Sequence, residues 1–248
     1  MSTSFGEEGR RLSYGSYLRL PELLSLQKRQ TEAHDELLFI VVHQTYELWF
    51  KVLLDELEAA RDRMVSGGVL WARHHLSRVG VIEKLLIEQV EVLETMSPQD
   101  FLAFRAELAP ASGFQSIQFR EIEFLSGLKE PGYLKRLETS PEESERLGRR
   151  LAEPSLWDAF RVLLERRGSP TLEEIFQRRE GHADLYALSE GLLDHDENFA
   201  LWRSRHVLMV ERQIGGKTGT GGSTGARYLR STLEKRFFPQ LWEVRSRL

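Results

Sequence analysis

The chain has 248 residues, with 34 Lys or Arg, 38 Asp or Glu, 7 His, no Cys and a formal net charge of -4. At 41% hydrophobic and 29% charged residues, it has the balance of a globular chain and not of a disordered one, and the lack of cysteine excludes disulfides, thiolate zinc sites, iron–sulfur clusters and a cysteine nucleophile. The mild acidity gives no global electrostatic reason to bind nucleic acid; the opening MSTSFGEEGRR lacks the apolar stretch of a secretory signal, and no run reaches the ~18 uninterrupted apolar residues of a membrane span, so a cytoplasmic protein with no membrane partner is expected.

Apolar residues recur at helical intervals over residues 31–64, including Leu37, Leu38, Val41, Val42, Leu48, Val52, Leu57 and Met64, and Gly67-Gly68 ends the run. A second long helix is predicted over about 69–95. Ser97-Pro98-Gln99-Asp100 is a start signal for a helix over about 98–108, because Ser caps, Pro suits the first helical position and Asp meets the positive end of the dipole. The break at 109–113 is followed by a helix over 115–127. Capping boxes at Ser140/Glu143 and Thr171/Glu174 open two short helices, with another after Pro154-Ser155. A last long helix is predicted over 183–214, ended by Gly215-Gly216, and a tail helix over 226–238 before Pro239. With no internal repeat and no convincing strand pair, the fold class is all-α: a helical bundle with long core helices, read as one domain over 1–248, in which 129–182 is a less apolar helical satellite.

Few residues in this pattern can carry chemistry. His43 lies mid-helix among apolar neighbours, one turn from Phe39. His206 sits in a mostly apolar stripe with Phe199, Trp202 and Met209 and is flanked by Arg203 and Arg205. An imidazole on a rigid helix with apolar walls and nearby cations suits haem, whereas a satisfied core histidine is the plainer alternative for each. His195 is eleven residues earlier and falls on nearly the same face as His206. HExxH is absent, and no Glu-x-x-His pair faces inward. His74, His75 and His182 sit in polar contexts and are expected at the surface. Six glycines fall within residues 215–225. A phosphate loop is excluded, because the first glycine of that motif would fall on Glu211, leaving a flexible linker or a mobile lid. Arg105, beside Phe101 and Phe104, suits either a ligand carboxylate or a structural ion pair.

Taken together and in order, several of these segments form a pattern. They are Tyr14-Gly15-Ser16-Tyr17-Leu18; His34 through Ile40, leading to His43-Gln44-Thr45-Tyr46-Glu47-Leu48-Trp49; Phe104-Arg105; Ser112-Gly113-Phe114-Gln115-Ser116 through Arg120 and Ile122-Glu123-Phe124; Leu201-Trp202-Arg203 with Arg205-His206; and Gly219-Thr220-Gly221-Gly222-Ser223 with Gly225. The pattern resembles the tryptophan 2,3-dioxygenase family over about residues 14–125 and 195–245.

The resemblance implies a cytoplasmic, helical enzyme that uses haem b and assembles as a homotetramer, a dimer of dimers. The implied reaction inserts both atoms of O2 across the indole 2,3-bond of L-tryptophan, giving N-formyl-L-kynurenine. It implies His206 as the proximal iron ligand and His43 as the distal histidine that holds the indole N–H. By the same resemblance, Phe39 packs along the indole, Arg105 pairs with the substrate carboxylate and Thr220 helps hold the ammonium. Leu108 and Ser112 line the pocket, and Tyr14, Tyr17 and Leu18 reach in from a neighbouring subunit. A related haem enzyme oxygenating a modified tryptophan or indole, and a non-catalytic haem-binding helical protein, are the alternatives.

Overall fold

The computed structural model describes residues 12–136, 140–222 and 224–248. Two single-turn helices, α1 (Tyr14–Tyr17) and α2 (Leu20–Leu23), precede the long helices α3 (Glu36–Ser66) and α4 (Val69–Glu94). The short α5 (Pro98–Arg105) leads to α6 (Ile117–Ser126), and the satellite follows as α7 (Tyr133–Arg136), α8 (Pro141–Ala152), α9 (Leu156–Arg166) and α10 (Leu172–Gln177). The third long helix is α11 (Ala183–Ile214), and α12 (Ala226–Arg230) and α13 (Pro239–Glu243) close the chain. Among the described residues there is no strand, and the fold is all-α.

The three long helices dictate where everything else sits. Gly67 adopts φ +86°, a left-handed turn that an L side chain resists, so α4 folds straight back along α3. Leu53, Leu57, Ala60 and Met64 of α3 meet Ala72, Leu76, Val79 and Leu86 of α4, all of them buried. Tyr46 adds a polar rivet: its hydroxyl donates to the Leu86 carbonyl at 2.7 Å. The other side of α4 packs on α11, through residues such as Leu188 and Leu192, so α4 is the central member of the layer. In the satellite, α9 packs on α3, burying Leu156, Phe160 and Leu163, and α8 packs on α6. By length and hydropathy alone α3 could cross a membrane, and its outward face leaves Leu37, Val41, Leu48 and Val52 exposed.

Several helix ends differ from the sequence expectation, each for a physical reason. The first long helix begins at Glu36, not residue 31, because the Glu36 carboxylate turns back to accept the backbone N–H of Gln30 (2.6 Å) and Thr31 (2.8 Å). The helix expected over 98–108 ends at Arg105 and tightens into a 3-10 turn, Ala106–Leu108. The helix expected from 115 starts instead at Ile117, where Ser116 caps it, after a 3-10 turn at Gly113–Gln115. The tail helix expected over 226–238 stops at Arg230, and Pro239 starts a helix that was not foreseen. Asp196 explains this: its carboxylate accepts the backbone N–H groups of Phe237 and Phe238, each at 3.0 Å, and the Trp242 Nε1–H at 2.9 Å. Those amides cannot serve both a helix and Asp196. His75 is not a free surface residue either, since its Nδ1 lies 2.7 Å from the buried Glu56.

Candidate active site

A cavity of about 290 Å³ lies among α3, α4, α5, α6 and α11 and is completed by the glycine-rich segment and α12. Phe39 and His43 enter it from successive turns of α3. The His43 Nδ1 sits 2.7 Å from the Phe39 carbonyl. A carbonyl can only accept, so Nδ1 carries the proton and Nε2 is left as an acceptor in the neutral ring. Burial lowers the pKa of His43, and the Phe39 carbonyl and Glu47 carboxylate only partly oppose it, so the ring is neutral near pH 7. Phe39 packs on His43 (ring centroids 4.0 Å apart), Phe101 (5.7 Å) and Phe104 (5.5 Å). The result is an apolar aromatic surface with a hydrogen-bond acceptor on it, which suits a flat aromatic N–H ring.

His206 enters from α11. Its ring lies parallel to that of Trp202, one turn earlier, at 5.1 Å and 10°. Neither of its ring nitrogens has a hydrogen-bond partner among the described residues. Burial depresses its pKa to about 4, and nearby His43 further opposes protonating both rings at once. His206 therefore offers a neutral imidazole lone pair, the state a metal ligand requires. Among the described residues no three His, Asp or Glu side chains converge as a ligand set. A metal at His206 thus needs a carrier that brings most of its own ligands, as a haem does, and the apolar walls fit such a macrocycle.

The glycine-rich segment closes the other side. Arg105, the last residue of α5, has no carboxylate partner among the described residues, and its Nη2 donates to the Thr218 carbonyl. The Thr220 hydroxyl donates to the Ala111 carbonyl at 2.7 Å. Gly221 lies against Ser112 so tightly that a Cβ placed on it would stand 2.6 Å from the Ser112 Cβ. The segment is docked on the 110–112 turn, and only glycine fits at that contact.

Of the residues implied by resemblance, Phe39, His43, Arg105, Ser112, Thr220 and His206 line this one cavity. Leu108 does not line it, but packs against the hydrophobic core. Tyr14, Tyr17 and Leu18 are 77%, 72% and 40% exposed and line no part of the same chain's cavity. His195, on nearly the same face of α11 as His206, does not line the cavity: it is buried, with Nδ1 2.6 Å from Glu83 and Nε2 2.8 Å from the Ser126 hydroxyl. Arg205 turns away to Glu94 at 2.9 Å, whereas Arg203 stays in the cavity wall. The sequence reading gave no role to Arg120 and Glu123, which also line the cavity. Their signal was three charged residues, Arg120, Glu121 and Glu123, interleaved with Phe119, Ile122 and Phe124 in one short helix.

The sequence model of the family described as Tryptophan 2,3-dioxygenase matches residues 2–177 and 171–248. A tryptophan 2,3-dioxygenase from Nocardioides sp. is 57% identical, over 99% of this chain and 98% of the relative. The chain belongs to the tryptophan 2,3-dioxygenase family. Tryptophan 2,3-dioxygenases from Herpetosiphon aurantiacus and Caulobacter vibrioides are 46% and 42% identical, each over 96% of this chain and 98% of the relative. The family match runs through residues 129–182, which the sequence motifs had left out, so the satellite is part of the family's shared chain.

Proposed function

We propose that this protein opens the indole 2,3-bond of L-tryptophan with both atoms of O2, giving N-formyl-L-kynurenine, on a haem b ligated by His206. The observation that carries this reading is the meeting, in one apolar cavity, of two neutral imidazoles from separate long helices and an arginine without a carboxylate partner among the described residues. Bound haem would supply O2 activation and the oxidising chemistry. The protein's part is to bind, orient and exclude water. The His43 Nε2 accepts the indole N–H and fixes the ring, and Phe39 and Phe101 pack along it. Arg105 forks onto the carboxylate, and Thr220, whose oxygen keeps lone pairs while its proton goes to Ala111, accepts from the ammonium. Arg105 and Thr220 together favour a zwitterionic amino acid over plain indole. The docked glycine segment keeps solvent from the reacting ring.

The oligomer belongs to the same proposal. A homotetramer, built as a dimer of dimers, gives Tyr14, Tyr17 and Leu18 a place in a neighbour's cavity. It also covers the exposed Leu37, Val41, Leu48 and Val52 stripe, a kind of surface that single chains rarely leave bare. Composition supports a cytoplasmic location and one folded unit over residues 1–248. The deciding experiment incubates reduced, haem-loaded protein with L-tryptophan and isotopically labelled O2, and weighs the product. N-formyl-L-kynurenine carrying both labelled atoms is expected; a product with one labelled atom, or no product, refutes the reading.

A further inference from the structure

The wall made by α6 and α11 holds more positive charge than it neutralises. Arg120 and Arg203 are 5% and 3% exposed, and both bond to a single carboxylate, Glu123, itself 2% exposed. Lys235 stands beside them, but is matched by Glu130. Two guanidinium groups thus share one acid, leaving one buried cation uncompensated among the described residues. The Nε of Arg120 is also buried without a hydrogen-bond partner. Aromatic faces surround this guanidinium: Tyr133 at 4.0 Å, Phe119 at 5.0 Å and Phe114 at 5.1 Å from ring centroid to Cζ. They attract a cation but cannot accept its N–H in place of an oxygen. A buried cation without a counter-charge and a buried donor without an acceptor are both costly, and here both occur at one residue that lines the cavity with His206 and Tyr228.

We propose that Arg120 and Arg203, bridged by Glu123 and joined by the Tyr228 hydroxyl, form a carboxylate-binding site in the cavity wall. The proposal rests on the haem reading above, because a haem brings carboxylates of its own, the propionates; the other source of a carboxylate is the amino-acid substrate. The packing favours the propionate. Arg105 is held by one backbone carbonyl of a glycine-rich segment, as suits a ligand that enters and leaves at every turnover. Arg120 is caged by three rings and an acid, as suits a ligand that stays.

The test compares two carboxylate-free probes in parallel. Haem-free protein is titrated with haem and with haem dimethyl ester, followed by the Soret band, and haem-loaded protein is titrated calorimetrically with L-tryptophan and with tryptamine. The wild type is expected to prefer haem over its ester by about tenfold or more, the scale of a charge-assisted hydrogen bond. Arg120→Met leaves Glu123 and Arg203 paired one to one, and should erase most of that preference while leaving the preference for tryptophan over tryptamine intact. Arg120→Lys should restore part of it, and Arg105→Met should do the reverse, collapsing only the tryptophan preference. If Arg120→Met instead collapses the tryptophan preference alone, the site holds a carboxylate but the substrate supplies it. If neither preference changes, the site is not one. If Arg120→Met fails to fold, the wild type still decides the haem arm: equal affinity for haem and its ester overturns the propionate assignment. A wild type that takes up no haem refutes the proposed function and the propionate assignment together, whereas haem uptake with equal affinity for the ester refutes the assignment alone.

Discussion

Arg105 and Arg120 point into the same cavity but are built differently. Arg105 ends a short helix, bonds to the Thr218 carbonyl and has no acid beside it among the described residues. Arg120 lies inside an apolar helix, shares Glu123 with Arg203 and is enclosed by rings. One region is assembled from turns and a glycine segment, and its contacts are to backbone oxygens that can be exchanged. The other is assembled from α6 and α11, and moving it would leave charges unpaired in a dry interior. Residue type alone therefore says little about a binding arginine; what holds the guanidinium in place says whether its ligand is transient or permanent.

The largest expected effect lies on the permanent side. His206→Ala should abolish stable haem retention, with added imidazole restoring it, as read from the Soret spectrum; a normal spectrum without imidazole would remove His206 as the iron ligand. Next comes the transient side. Truncating one partner of a buried charge pair typically costs ~2–5 kcal/mol, so Arg105→Met should lower kcat/KM for L-tryptophan by a factor of at least about thirty while haem content stays normal. An equal loss for a substrate lacking the carboxylate would make Arg105 structural.

A smaller effect separates the glycine segment from the haem side. Gly221→Val must push the segment off Ser112, which should raise KM for L-tryptophan about tenfold (~1.4 kcal/mol) with haem affinity unchanged. If haem affinity falls as well, the two regions are not independent. The smallest effect is in stability. Burial tends to raise the Glu36 carboxyl, but hydrogen bonds from the Gln30 and Thr31 backbone and the Thr31 hydroxyl outweigh it and set its pKa below the ordinary 4.5. A depressed carboxylate stabilises the fold fully above its unfolded pKa, and that contribution is lost as pH falls through the lower folded value. Glu36→Gln should therefore cost about 1 kcal/mol at neutral pH, seen as a lower Tm. The gap from wild type should narrow as pH falls below the ordinary 4.5 and close through the lower folded value; a gap that persists in acid would mean that the charge of Glu36 is not its source.

What could be read from sequence follows the range of the forces involved. The Ser97 cap and the capping boxes at Ser140 and Thr171 all form, because each needs only residues three apart. The ends of α4 and α11 come within a residue of expectation, since glycines and apolar spacing mark them locally. The tail was misread because Asp196 captures amides 41 and 42 positions later, and no local pattern records that. Nor does any local pattern record the partners of His195, which lie 112 and 69 positions away. The cavity was legible through a resemblance over several motifs; its second arginine pair was not, because a charged residue in an apolar helix looks like a surface position until its neighbours are known.

The reach of Asp196 has a consequence for how the molecule is made. Its carboxylate sits at the centre of α11, ten residues ahead of His206, and among the described residues its three N–H donors come from residues 237–242. On a growing polypeptide, α11 emerges well before those residues do. Until they arrive, a negative charge in the middle of the helix that bears His206 has no donors to shield it, and that helix cannot settle into the core. Maturation is in this way tied to the synthesis of residues 237–242: a transcript cut short after α12 should yield a product open to proteolysis, not a nearly finished protein that captures cofactor.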